Sequence, residues 1–270
     1  MSLATDRSVA HEVRHERVAA SDGVSIAYTL WRRPAAELMV LAPGFWRVRL
    51  AAENLFLAHH FLRAGYDVAA LDFRGHGDSG GGYAFGAREH RDFLAVIGEL
   101  VGEGKMYDRF SVLGLSLGGS IAAQALALRP DLPCRALAMV SSPADLRTLR
   151  PKPWKAGAIR QVRLRHAMRV PRLAMGALTD RKPRAADAVA SLTIPKLIVT
   201  SAGDWLVDPS QGRALAASAA SPVEHVHLEL PGALHADGLV KFAPVQLLRV
   251  LDLWFARYAP PGAEPSAPGS

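Results

Sequence analysis

Phe110-Ser-Val-Leu-Gly-Leu-Ser116-Leu-Gly-Gly-Ser120 is the stretch on which the reading of this chain turns. An apolar strand runs into Gly114-x-Ser116-x-Gly118, and the Ala-rich run Ile121–Leu128 carries on as a helix. A strand that turns abruptly into a helix lifts the intervening Ser oxygen clear of the sheet, which is the geometry of a nucleophile elbow. Gly114 and Gly118 suit such a turn because a side chain there would meet the neighbouring strand or helix. The five-residue pattern is weak alone; the strand before it and the helix after it give it weight.

Outward from the elbow, apolar strands and helices alternate. Strands are predicted near residues 37–42, 66–72, 109–115, 135–141, 196–202 and 223–230, and helices near 50–64, 85–102, 117–129, 209–219 and 239–257. The inner strands are continuously apolar, as expected when helices cover both faces of a parallel sheet. Residues 10–31 instead alternate polar and apolar around Ser21-Asp22-Gly23, the signature of a β-hairpin. The expected architecture is α/β: a three-layer sandwich on a mostly parallel sheet, opened by an N-terminal hairpin. The core is expected over 1–143 and 194–258. About fifty residues at 144–193 interrupt the alternation where six would connect two elements. Residues 259–270 are rich in Pro, Gly and Ser and read as a disordered tail.

Chemistry-bearing residues fall at the ends of these strands. Leu38–Ala42 leads into Pro43-Gly44-Phe45-Trp46, and Tyr66–Leu71 into Asp72-Phe-Arg-Gly-His76-Gly-Asp-Ser79. Lys196–Ala202 ends on Gly203-Asp204, and Val226–Leu230 on Pro231-Gly-Ala-Leu-His235. Ser, then acid, then His is the chain order of α/β-hydrolase triads. From Val24 to Tyr258 the chain resembles that superfamily, and within it the lysophospholipase, monoacylglycerol lipase and proline iminopeptidase group. The motifs that carry the resemblance are D-x-R-G-H-G-x-S, G-x-S-x-G-G, G-D-x-x-V and P-G-x-x-H. It implies a serine hydrolase and places a lid over the active site in the 144–193 insertion. The group usually has His-Gly where this chain has Pro43-Gly44.

A Ser hydroxyl needs a base within hydrogen-bond reach, and the base needs an orienting acid. Ser116 is the expected nucleophile, His235 the base and Asp204 the acid; Asp208 is the runner-up acid, and Asp237 lies too close in sequence to His235. Two backbone N–H groups must face the oxyanion, expected from Leu117 and Phe45. Gly44, Trp46, Leu206 and Val207 are expected around the substrate, with Trp46 equally readable as a core aromatic. His76 reads as structural. The expected reaction is cleavage of a carboxylic ester through an acyl-enzyme. The resemblance implies a lipid-like ester such as a mono- or lysoglyceride. A peptidase, a thioesterase or a catalytically silent binding protein on this fold are the alternatives.

The 270 residues carry a net charge of +7, and half are apolar. Charge is concentrated in the insertion: twelve Arg and Lys from Arg147 to Arg184 face only Asp145, Asp180 and Asp187. That basic segment reads as a solvated face, as a site for anionic groups, or as a peripheral contact with an anionic membrane surface. No binding module points to nucleic acid. No metal-ligand spacing, Walker A or dinucleotide fingerprint is present, so no metal or cofactor is expected. The single Cys134 excludes an internal disulfide. No apolar run reaches the roughly 20 residues that span a bilayer, and the N-terminus lacks an apolar signal region, so a soluble, cytoplasmic protein is expected.

Overall fold

The computed structural model describes residues 11–33, 37–152, 171–230, 232 and 234–262. Its eight-stranded sheet runs in the order β1-β2-β4-β3-β5-β6-β7-β8. The hairpin β1 (Glu12–Ala19) and β2 (Ser25–Arg32) is antiparallel, and β2 joins β4 (Asp67–Leu71) antiparallel. From β4 onward, β3 (Leu38–Ala42), β5 (Phe110–Leu115), β6 (Cys134–Val140), β7 (Lys196–Ser201) and β8 (Val223–Leu228) are parallel. Gly23, at φ +80°, makes the hairpin turn with Asp22 as expected.

Because side chains alternate across a strand, each inner strand feeds two cores. Val40, Leu71, Val112, Met139 and Ile198 face one layer of helices. That layer is α2 (His90–Leu100), α3 (Leu117–Leu128), α4 (Ala185–Ser191) and α5 (Pro209–Ser218). Leu41, Val68, Leu113, Val140 and Val199 face the other layer. There lie α1 (Ala52–Arg63), α6 (Asp237–Phe242) and α7 (Pro244–Tyr258). This is the expected three-layer sandwich. Each fully buried Leu, Val or Phe contributes about 1.5–3 kcal/mol of transfer free energy. No described helix is long and apolar enough to cross a membrane. Cys134 is buried, and burial pushes its thiol up.

The structure corrects several predicted boundaries. The helix expected at 85–102 begins only at His90. The buried Glu89 carboxylate turns back to accept from Ala84 N–H (2.5 Å) and Gly86 N–H (2.6 Å), which shapes a turn with Phe85 at φ +53°. The helix expected at 239–257 is two helices: Pro244 lacks an N–H and excludes helical geometry at Ala243. Part of the 144–193 insertion is body. Ala185, Ala186, Ala188 and Val189 of α4 pack into the same cluster as Ile121 and Ala122 of α3. The segment expected as tail is also shortened, because Ala259 is buried and its carbonyl accepts from the Tyr66 hydroxyl at 2.8 Å. Residues 263–270 lie outside the described residues, as do Lys155, Arg160, Arg163, Arg165 and Arg169 of the basic segment.

Candidate active site

Ser116 sits between β5 and α3 with φ +52° and ψ −128°, a conformation a non-Gly residue holds only when its surroundings enforce it. The glycines around it show what enforces it. A Cβ on Gly114 would collide with Gly119, and one on Gly118 with the carbonyls of Ala42 and Pro43. Ser116 is the N-cap of α3 yet makes no side-chain cap bond. Its hydroxyl meets His235 Nε2 at 2.8 Å instead.

His235 lies in the loop between β8 and α6 and is buried. Its Nδ1 is 2.9 Å from Asp204 Oδ2 and 3.1 Å from Oδ1. Asp204 follows β7, where the strand's C-terminal end aims it at the edge on which open α/β sheets collect ligands. Its Oδ1 also accepts the N–H groups of Leu206 and Val207, each at 2.9 Å, so the turn holds the carboxylate still. Ser116, His235 and Asp204 thus form one hydrogen-bonded line, with every member buried.

Asp208, the runner-up acid, is occupied elsewhere. It caps α5 by accepting from Ser210 N–H at 3.0 Å and pairs with Lys152 at 2.6 Å. The hydrogen bond from Lys152 leads in drawing its carboxyl down to about 2. Asp237 joins the site differently: it pairs with Arg47, and both line the cleft at Ser116 together with Gly44, Phe45, Leu115 and His235.

Gly44 lies against Ser116, where a Cβ would come within 3.0 Å of the Ser116 Cβ. The next residue, Phe45, lines the cleft, and Leu117 opens α3 directly after Ser116. No described hydrogen bond uses the N–H of Phe45 or of Leu117. Three residues expected at the substrate are not among those lining this cleft. Leu206 and Val207 are spent on the turn that grips Asp204, and Val207 is buried. Trp46 adopts φ +65° and stacks on Phe45 with ring centroids 5.1 Å apart.

What sets this loop is a residue read from the sequence only as structural. The N–H of Trp46 donates to His76 Nε2 at 3.1 Å, and His76 Nδ1 lies 3.2 Å from the Arg74 carbonyl. His76 is buried, and burial pushes its imidazole below the ordinary range. A neutral ring that donates from Nδ1 and accepts at Nε2 fits both contacts. The rest of the D-x-R-G-H-G-x-S motif builds the frame for His76. Asp72 accepts from Arg49 N–H at 2.6 Å and Asp78 N–H at 3.0 Å. Arg74 clasps Asp92 at 2.6 Å and Asp22 at 2.8 Å. The Ser79 hydroxyl donates to the Asp72 carbonyl at 2.6 Å. Trp205, whose ring lies 6.5 Å from that of His235, and Ser141, whose Oγ accepts from Ala236 N–H at 3.2 Å, carried no signal in the sequence. Among the described residues no three His, Cys, Asp or Glu side chains gather as a metal site.

Residues 33–174 match the sequence profile of the family described as serine aminopeptidase, S33. No curated protein sequence matches the chain. Solved structures do. An esterase from Pyrococcus furiosus superposes with a TM-score of 0.71 at 19% identity, covering 92% of this chain and 91% of its own. A putative aryl esterase from Burkholderia cenocepacia gives 0.69 at 19% identity, covering 90% and 98%. An esterase from Rhodococcus sp. ECU1013 gives 0.68 at 18% identity, covering 91% and 99%. At these identities the likeness establishes the α/β-hydrolase fold.

Proposed function

This chain belongs to the serine aminopeptidase S33 family, and from that premise we propose that it hydrolyses carboxylic esters through an acyl-enzyme on Ser116. The observation that carries the reading is the buried line from Ser116 Oγ through His235 to Asp204, at 2.8 and 2.9 Å. Ser116 Oγ attacks the ester carbonyl carbon while His235 Nε2 takes its proton. Asp204 holds the imidazole in the tautomer that leaves Nε2 free to do so and steadies the imidazolium that forms. The N–H groups of Phe45 and Leu117 receive the oxyanion. His235 then returns the proton to the leaving alcohol, and water repeats the sequence to release the acid.

The alternative within the family is an aminopeptidase, which needs a carboxylate to receive a substrate ammonium. Among the described residues lining the cleft the carboxylate is Asp237, and Arg47 already neutralises it. That pairing favours an ester over a peptide amine. A lipid-like ester is the substrate class we favour; the esterases that share the fold support an ester, whatever its acyl group. Leu173, Met175 and Leu178 are exposed beside Arg172, a composition that fits peripheral contact with an anionic membrane.

A fluorophosphonate probe, followed by hydrolysis across aryl esters, monoglycerides, lysophospholipids, thioesters and aminoacyl amides, tests the proposal. The expected result is labelling at Ser116 with turnover of esters ahead of amides. Absence of labelling, or labelling on another residue, would overturn it.

A further inference from the structure

We propose that the groove between α2, α3 and α4 is a binding site for a small amphiphilic anion, a carboxylate carrying a short apolar chain. The groove has a volume of about 510 Å³, within the roughly 300–1,000 Å³ of small-molecule sites. It shares no lining residue with the cleft at Ser116. Gln124, on its wall, lies eight residues along α3 from Ser116, about 12 Å at the helical rise.

Its chemistry is divided. Ala127 and Leu128 of α3 and Ala188 of α4 give it an apolar floor. Four cations ring it against one lining carboxylate, Asp187. Two of the four are already engaged: Arg147 pairs with Asp145 at 2.7 Å, and Arg184 reaches Asp145 at 3.3 Å and Asp187 at 3.2 Å. Arg181 and Lys182 have no carboxylate partner among the described residues; Lys182 Nζ donates only to the Asp180 carbonyl, at 2.7 Å. A guanidinium and an ammonium lining one groove can each pair with a carboxylate.

A second observation marks the same place. Gln124 is buried and its Nε2 donates to the Pro183 carbonyl at 3.3 Å, which fixes the loop to α3. Gln124 and His90 line the groove, and Gln124 Oε1 and His90 Nδ1 lie buried behind that lining without a hydrogen-bond partner among the described residues. Buried polar atoms are normally paired, and leaving one unpaired costs about 1–3 kcal/mol. The groove therefore offers charge, apolar area and a concave wall together, which a solvated basic face does not.

Octanoate is the probe, titrated by calorimetry into the full chain, with acetate and octanol as its two halves. One equivalent of octanoate is expected to bind at least tenfold more tightly than either half. The double variant Arg181→Glu/Lys182→Glu, and separately Leu128→Glu, are expected to weaken octanoate at least tenfold while leaving turnover of a neutral short-chain ester unchanged. Equal binding by wild type and variants, or acetate binding as well as octanoate, would overturn the proposal. Should the variants fail to fold, amide resonances of the wild-type chain decide the matter. The Gln124 side-chain and Ala188 signals must move with octanoate; movement confined to Leu117 and His235 would place the ligand in the Ser116 cleft and refute the site. Octanoate binding and the resonance shifts do not depend on the hydrolytic reading being right.

Discussion

Replacing His76 by Ala removes the acceptor that holds the Trp46 N–H, and its effect on turnover can be worked from the structure. The N–H of a partly buried loop residue loses a 3.1 Å hydrogen bond. A donor left unpaired costs about 1–3 kcal/mol. That is the amount by which the loop loses its preference for the arrangement that seats Phe45 beside Ser116. At about 1.4 kcal/mol per tenfold, the aligned fraction, and kcat with it, should fall about five- to 150-fold. Outright loss of an oxyanion donor costs about 10²–10³, so a misaimed Phe45 should fall at or below that range. KM for a short neutral ester should hardly move, because the interaction matters chiefly in the transition state. His76→Gln can still present an acceptor and should recover most of the activity. The pH dependence of stability sets both variants apart from the wild type. Burial depresses the folded-state pKa of His76, so as pH falls the unfolded chain binds this proton first. Stability is therefore lost as pH drops through the ordinary histidine range and levels off below the folded value. His76→Ala and His76→Gln should both remove this contribution. The assays are steady-state hydrolysis of an aryl ester and urea unfolding from pH 5 to 8. A folded His76→Ala with wild-type kcat, or a His76→Gln as impaired as His76→Ala, would refute the positioning role.

Ser116→Ala should lower ester turnover about 10⁴–10⁶-fold with the fold intact by circular dichroism. Asp204→Asn should cost more activity than Asp208→Asn. The latter should instead lower the melting temperature, since Asp208 caps α5 and such caps contribute about 1 kcal/mol. The Asp208 carboxyl is drawn down to about 2, so its contribution is complete above the ordinary aspartate range and is lost as pH falls towards 2. Acid titration of wild type against Asp208→Asn reads this directly. Gly118→Ala should yield little soluble protein, because the added methyl collides with the Ala42 and Pro43 carbonyls; soluble expression and a wild-type melting temperature would show that the elbow is looser than described. Binding to anionic vesicles should weaken as salt shortens the screening length to about 8 Å, while turnover of a neutral short-chain ester stays level. Co-sedimentation at increasing salt checks it.

The sandwich was legible in the sequence because its information is local. Apolar runs such as Leu38–Ala42 and Leu197–Val199, each closed by turn residues, read as buried strands, and Asp22-Gly23 reads as the turn observed. The elbow was legible for the same reason: Gly114, Ser116 and Gly118 lie within one strand-to-helix turn, and their spacing records a steric demand. Ser116, Asp204 and His235 could be named in order because each follows a strand.

Contacts distant in sequence had to await the tertiary structure. Asp204 and Asp208 stand four positions apart, and no local rule chooses between them. Only the packing of β7 beside β8 brings one to His235, while α5 and Lys152 engage the other. Glu89 ends its turn by folding back on residues that periodicity assigned to the helix. Arg47 and Asp237 stand 190 positions apart and meet at the cleft. His76 looked like one more member of a tight turn until the loop after β3 was laid across it and gave its ring an N–H to hold. Burial pattern and turn sterics are written residue by residue along the chain. Partnership between charges and donors depends on which elements the fold sets side by side.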